Sequence, residues 1–211
     1  MLKNSITLIP ARKQLYQAKL VFYLFLASLG MFFIASMITY LIIRRQAFTG
    51  HPDALPGSAM SGGPERYSAL VLPVSFWVST VVLLLVSYFL QLSVWAVQQQ
   101  RLSKMRMWLG FALLAAVTFV AVQGFGMMDL LNQHFSKLDG SMKVYGMSFT
   151  LSFIHVLHVA GGMLFLGYVI YQAGRGKYDH ERHWAVDHCA GYWHFLDVVW
   201  VVMLLVFAIT K

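Results

Sequence analysis

Five apolar stretches, each long enough to cross a bilayer, constrain the fold of this chain more than any other feature of its sequence. They cover about residues 20–43, 69–97, 107–131, 144–171 and 184–209. About 20 helical residues span the hydrocarbon core of a membrane, where the backbone must satisfy its own hydrogen bonds. The chain is 59% hydrophobic and only 11% charged, which leaves no stretch for a separate soluble domain. We therefore expect an all-α integral membrane bundle of five transmembrane helices, a single membrane domain over residues 1–211.

The basic residues predict the orientation of this bundle. Ten Lys and Arg residues lie in the N-terminal segment and the second and fourth loops, against six in the other loops and the C-terminus. Because cytoplasmic loops carry the excess of basic residues, the N-terminus is predicted to be cytoplasmic. The first stretch is too long for a cleaved signal peptide and stops at Arg44 and Arg45, while Pro10 argues against a continuous helix before it. The net charge of +8 comes from basic residues that flank the spans, and we expect these residues to contact anionic lipid and not nucleic acid.

The last apolar stretch carries an unusual polar stripe. At 100° per residue, His183, Asp187, His194 and Asp197 fall within an arc of about 80° on one helix. Ionisable side chains are costly in lipid, so this stripe is predicted to face protein or water.

The fourth stretch offers a matching face. Ser148, Ser152, His155, His158 and Gly162 lie on one side of its helix. Small and polar residues allow two membrane helices to approach closely and to hydrogen-bond across their interface. We therefore expect the last two helices to pack with these two faces together, so that the polar side chains of one pair with those of the other.

Three interpretations of these polar residues remain open. In the first, they are structural, and each interhelical hydrogen bond contributes about 0.6 kcal/mol. In the second, they handle protons, with Asp187 and His183 near the cytoplasmic end holding protons for a partner.

In the third interpretation, His155, His158, His194 and Asp197 bind a metal or a haem. It is the least favoured, because bulky aromatic residues flank His194 and because the chain has no Cys cluster and no Glu-x-x-His pair.

The remaining features indicate no soluble enzyme. The lone Cys189 cannot form an intrachain disulfide, and there is no phosphate-binding glycine loop, serine nucleophile elbow or zinc His-Glu-x-x-His motif. The aromatic residues are scattered through the apolar stretches and are expected to face lipid or to form interfacial belts.

Two segments resemble a known family. The segment VYGMSFTLSFIHVLHVAGG, residues 144–162, resembles the fourth helix of the five-helix subunit III proteins of haem–copper oxidases. The segment HWAVDHCAGYWHFLDVVW, residues 183–200, resembles the last helix of that family, in which an acidic residue, here Asp187, precedes a Tyr-Trp-His-Phe-x-Asp-Val-Val-Trp run. Weaker similarity covers LFLASLGMFF, residues 24–33, and residues 119–123.

The chain departs from the family pattern at two positions. Leu29 and Gly126 occupy positions that are usually acidic in the family, so roles assigned to those carboxylates do not transfer. The chain also lacks the two additional N-terminal helices of seven-helix members, and it is similar to the shorter form of bacterial cytochrome c and quinol oxidases.

The resemblance implies a non-redox accessory subunit. Subunit III packs directly against subunit I, accompanies subunit II, binds phospholipid and supports proton uptake, while the complex reduces dioxygen to water with haem and copper in subunit I and translocates protons. We therefore expect no catalytic residue, cofactor or metal in this chain, and a location in the bacterial cytoplasmic membrane. The polar residues to which a structural and proton-related role is assigned are His155, His158, His183, Asp187, His194 and Asp197.

Two alternative functions are a nitric oxide reductase accessory protein of the same superfamily and a stand-alone proton-coupled transporter. The absence of an internal repeat weakens the transporter alternative.

Overall fold

The computed structural model describes residues 8–49, 74–136, 142–176 and 184–209, and these ranges are helical apart from short turns. The helices are α1 (Leu8–Thr49), α2 (Val74–Gln98), α3 (Leu102–Ser136), α4 (Met142–Gly174) and α5 (Trp184–Ile209). By length and composition, five segments can span a membrane: Lys19–Arg45, Val74–Gln98, Leu102–Asp129, Tyr145–Gly174 and Trp184–Ile209. The predicted all-α fold with five transmembrane helices is confirmed, and the cytoplasmic position of the N-terminus stays a prediction.

The first helix is longer than the sequence predicts. It begins at Leu8, so Pro10 lies in its first turn, where the missing N–H removes no intrahelical hydrogen bond. It also continues past Arg44 and Arg45 to Thr49. The Gly- and Pro-rich connection that follows, together with the first residues of the second predicted span, falls in residues 50–73, outside the described residues.

The chain divides into two compact units, Met1–Ala35 and Ser36–Lys211. In the described part of the first unit, α1 exposes large apolar side chains such as Leu20, Tyr23 and Met31. An exposed apolar face of this kind suits contact with lipid or with another protein.

The second unit contains a closed ring of four helices. Helix α2 contacts α3 and α5, and α4 contacts the same two helices on the opposite side of the ring. Short connections make successive helices antiparallel, so each helix has two antiparallel neighbours. In addition, Tyr40 in the second half of α1 packs on Phe207 of α5, with ring centroids 5.0 Å apart.

A tight turn sets the pairing of α2 with α3. Gln100 adopts a positive φ of 59°, the N–H of Arg101 donates to the Ala96 carbonyl at 2.9 Å, and the N–H of Gln100 donates to the Val97 carbonyl at 3.0 Å. These two hydrogen bonds form a Schellman motif, which satisfies the last carbonyls of α2 and reverses the chain within three residues. The reversal places polar residues of α3 opposite those of α2.

Candidate functional site

The four-helix ring is joined at one fully buried tryptophan. Trp200 of α5 stacks on Phe76 of α2 with ring centroids 5.5 Å apart and an interplanar angle of 15°. Its ring also meets Phe119 of α3 edge to face at 5.9 Å, and His155 of α4 at 5.0 Å. Stacked and edge-to-face pairs are the favourable arrangements of aromatic rings. These four residues, which we call the Trp200 junction, therefore connect all four helices of the ring.

The polar atom of Trp200 is also satisfied. Its Nε1 donates to Thr80 Oγ1 at 2.9 Å, and the Thr80 hydroxyl donates to the carbonyl of Phe76 at 2.7 Å. A buried indole N–H usually finds such a partner. The hydrogen bond fixes the orientation of the ring around which the other three side chains pack.

A second polar contact ties α2 to α3 beside the junction. The Ser79 hydroxyl donates to Gln123 Oε1 at 2.8 Å, and both side chains are fully buried. Because no bulk water is present in the hydrocarbon core, this hydrogen bond satisfies groups that would otherwise be unfavourable there.

His194 pairs with α2 and not, as the sequence suggests, with α4. Its Nδ1 lies 2.6 Å from Ser87 Oγ, and its Nε2 lies 3.3 Å from Gln91 Oε1. The Ser87 hydroxyl also interacts with the carboxyl group of Asp197. Ser87 therefore links the two ionisable residues of α5 to one helix. The expected pairing of His194 with polar groups of α4 is wrong.

The geometry of α5 explains why His194 faces α2 and not α4. His194 and Tyr192 are two residues apart, so they point about 200° away from each other around the helix. The Tyr192 hydroxyl donates to the backbone carbonyl of His158 on α4 at 3.0 Å. Because Tyr192 faces α4, His194 is turned to α2.

The contact between α4 and α5 is close and depends on a glycine. A Cβ atom at Gly162 would lie 3.0 Å from Cε1 of Tyr192 and 3.3 Å from the ring of Trp193. The prediction that Gly162 allows these helices to approach is confirmed. His158 lies one turn away, and its Nδ1 is 2.7 Å from the carbonyl of Ile154 on its own helix.

The other predicted residues lie apart from this contact. Asp187 is half-buried in the first turn of α5, where the helix dipole favours a negative charge. His183 lies outside the described residues. His155 belongs to the Trp200 junction, and His194 and Asp197 lie beside α2. The predicted polar residues of α4 and α5 therefore do not face one another as a single cluster.

The geometry gives no support to metal or haem binding. Among the described residues, no group of three or more His, Cys, Asp or Glu side chains is close enough to hold a metal ion. The His155 ring lies against Trp200 and Phe119, with the Phe119 centroid 6.4 Å away. A haem plane could reach His155 only by displacing these rings, so His155 in this packing does not fit the role of a haem ligand.

Both departures from the family pattern lie at buried positions. Leu29 is 8% exposed. A Cβ atom at Gly126 would lie 2.5 Å from Ser75 Oγ and 3.1 Å from the ring of Phe76 on α2. A carboxylate side chain at position 126 would therefore require the Ser75 hydroxyl and the Phe76 ring to shift.

The sequence did not predict that aromatic residues form the buried junction, or that polar residues of α2 pair with α5. Phe76, Phe119 and Trp200 were expected to face lipid, but all three are fully buried, so that expectation is wrong for them. Ser87 and Gln91 are four residues apart and share one face of α2, which was the available signal for a polar interface with α5.

Comparison with known proteins identifies similar chains. Residues 15–210 match the family described as cytochrome c oxidase subunit III. The chain is 28% identical over 179 residues to the probable cytochrome c oxidase subunit 3 of Nocardia farcinica, covering 84% of this chain and 80% of that protein. It is 26% identical over 183 residues to cytochrome c oxidase subunit 3 of Synechocystis sp., covering 86% and 71%. It is also 26% identical over 204 residues to that of Bacillus sp., covering 93% and 89%.

Proposed function

We propose a place for this chain within its enzyme complex from one premise: the chain belongs to the cytochrome c oxidase subunit III family. It is an accessory subunit of a respiratory terminal oxidase and a multi-pass protein of the bacterial cytoplasmic membrane. The observation that carries this conclusion is the family match, which takes in all five membrane-spanning segments. The match favours the oxidase over the nitric oxide reductase and transporter alternatives.

Within the complex, the chain packs directly against subunit I, is accompanied by subunit II, and contributes no redox centre of its own. Haem and copper in subunit I reduce dioxygen to water, while this chain stabilises that subunit and supports its proton uptake. In support, the buried histidine of the Trp200 junction is packed among aromatic rings instead of facing an open site.

The exposed apolar surface supports the same proposal. Side chains such as Leu164 of α4 and Phe125 of α3 are more than 70% exposed. Faces of this kind are expected to be covered by phospholipid or by neighbouring subunits in the membrane.

The polar residues have a structural role first and a proton-related role second. His155, His194 and Asp197 hold the helices in register through their side chains, and His158 contributes through its backbone carbonyl, which accepts from Tyr192. Asp187 and His183, near the cytoplasmic end of α5, hold protons for uptake by the complex. Oxygen consumption by an Asp187→Asn complex tests this secondary role, and an unchanged rate would remove it.

Affinity purification of the tagged chain from its native membrane tests the proposed function. We expect haem- and copper-bearing subunits to co-purify with the tag and to show dioxygen reduction. A chain that purifies alone, or that moves a solute across liposomes by itself, would contradict the proposal.

Asp197→Ala is expected to release this chain from the purified oxidase in detergent. The substitution removes the carboxyl group that Ser87 links to His194, so the interface between α2 and α5 should loosen. Quantitative gel analysis of the complex measures the loss, and Val198→Ala is the matched control because Val198 is 62% exposed on the same helix. The haem spectrum of the remaining subunits should be unchanged. Loss of haem with the chain would show that the polar residues take part in redox chemistry.

A further inference from the structure

Among the buried polar atoms of the helix ring that have no hydrogen-bond partner within the described residues, four form two pairs: Gln123 Nε2 with Ser152 Oγ, and Trp193 Nε1 with Asp197 Oδ1. All four residues are buried, and Asp197, the most exposed, is 6% exposed. Leaving a buried donor or acceptor unsatisfied costs about 1–3 kcal/mol. Lipid offers no replacement partner, so four such atoms in one small bundle require an explanation.

The first pair lies on one side of the Trp200 junction, between α3 and α4. Phe119 and His155 are in ring contact across these antiparallel helices. Gln123 is four residues after Phe119, and Ser152 is three residues before His155. At 1.5 Å per residue, both therefore lie about 5–6 Å from that contact in the same direction. A donor on α3 and a hydroxyl on α4 are thus placed at the same depth.

The second pair lies on the opposite side of the junction, on α5 itself. Trp193 and Asp197 are four residues apart, so their side chains share one face and are separated by about 6 Å along the axis. One is a donor and the other an acceptor. One water molecule that makes hydrogen bonds of about 2.9 Å to both atoms would satisfy the donor and the acceptor together.

Groups that could complete a water site surround the second pair. The Ser87 hydroxyl interacts with the carboxyl group of Asp197, and the imidazole of His194 contacts Ser87 and Gln91. A buried water molecule typically makes about three hydrogen bonds to polar groups that are otherwise unsatisfied. Trp193 and Asp197 supply two of these, and the neighbouring polar side chains of α2 and α5 are candidates for the third.

Trp200, which lies between the two pairs, differs from them because its polar atom has a hydrogen-bond partner. Trp200 is as buried as Trp193, but its Nε1 is bonded to Thr80 and its ring is covered by Phe76, Phe119 and His155. The only polar side-chain atom of Trp200 is therefore already satisfied by Thr80 and does not need a water molecule.

We infer that the bundle binds an ordered water molecule on each side of the Trp200 junction. One water bridges Gln123 and Ser152, the other bridges Trp193 and Asp197, and no water binds the indole of Trp200 between them. The two waters complete the hydrogen bonding of the interior. The ring of Trp200 lies between the two sites along the bundle.

Hydroxyl-radical footprinting by X-ray radiolysis of the intact wild-type protein, with whatever subunits accompany it, tests the inference. Radiolysis of a bound water oxidises the side chains beside it, even when these are inaccessible to bulk solvent. Trp193 and Trp200 provide a matched pair, because both are tryptophans of α5 with 0% exposure. We expect Trp193 to be oxidised several-fold faster than Trp200, as measured by mass spectrometry. Equal rates at the two positions would overturn the proposal for the second pair.

An experimental density map of the intact protein, at a resolution that shows ordered solvent, tests both sites. The expected result is a peak about 2.7–3.2 Å from Gln123 Nε2 and Ser152 Oγ, and another at the same distance from Trp193 Nε1 and Asp197 Oδ1. Direct pairing of these atoms with other side chains would overturn the inference. Neither measurement depends on the proposed function, because a chain that lacked oxidase partners would still show or lack these waters.

Discussion

Trp200→Ala is expected to lower the free energy of unfolding of this protein by about 3–5 kcal/mol, the range observed when a buried large aromatic residue is truncated to alanine. The substitution removes the ring that contacts Phe76, Phe119 and His155, and it leaves the Thr80 hydroxyl without the indole donor. Because one side chain connects α2, α3, α4 and α5, a large part of the cavity should be unable to close.

The thermal unfolding transition of the purified protein measures this effect. Trp95→Ala is the matched control, because Trp95 of α2 is 53% exposed and lies 19 residues, about 28 Å along the helix, from Phe76. We expect a large loss of thermal stability for Trp200→Ala and a small one for the control. Equal losses would show that the junction does not hold the bundle together.

Gly162→Leu is expected to separate α4 from α5. Its Cβ alone would lie 3.0 Å from Tyr192 and 3.3 Å from Trp193, and the remainder of the leucine side chain would extend further into these rings. Overpacking of a buried contact typically costs about 1–3 kcal/mol and occasionally more. The displacement would also break the hydrogen bond between the Tyr192 hydroxyl and the carbonyl of His158.

The same helix supplies the control for this substitution. A Cβ atom at Gly167 meets nothing within 4 Å, so Gly167→Leu should be tolerated. Retention of the chain in the detergent-solubilised complex distinguishes the two variants. If Gly167→Leu lost the chain as readily as Gly162→Leu did, the close approach at Gly162 would not be the cause.

The sequence was sufficient to predict the spans and one helix contact. The bounds of α5 agree with the predicted stretch 184–209, and Gly162 lies where the small-residue pattern placed it. These features depend on length, composition and residue size along a single helix, all of which can be read from the sequence.

The rotational positions of the helices and the buried aromatic residues could not be predicted in this way. The polar stripe of α5 shows which side faces protein, but it does not show which neighbour receives each residue, so His194 was assigned to α4 instead of α2. The interior of a membrane bundle is as apolar as the lipid around it. Nothing in the composition around Trp200 therefore distinguishes a core position from a lipid-facing one.

The optical spectrum of this chain, separated from its partner subunits, tests the central claim that its buried histidines and aspartates hold helices together instead of binding a redox centre. His155 is enclosed by Trp200 and Phe119, and His194 is engaged by Ser87 and Gln91. We predict that the separated chain shows no Soret band and that all haem absorbance remains with the partner subunits. A Soret band retained by this chain alone would contradict the claim.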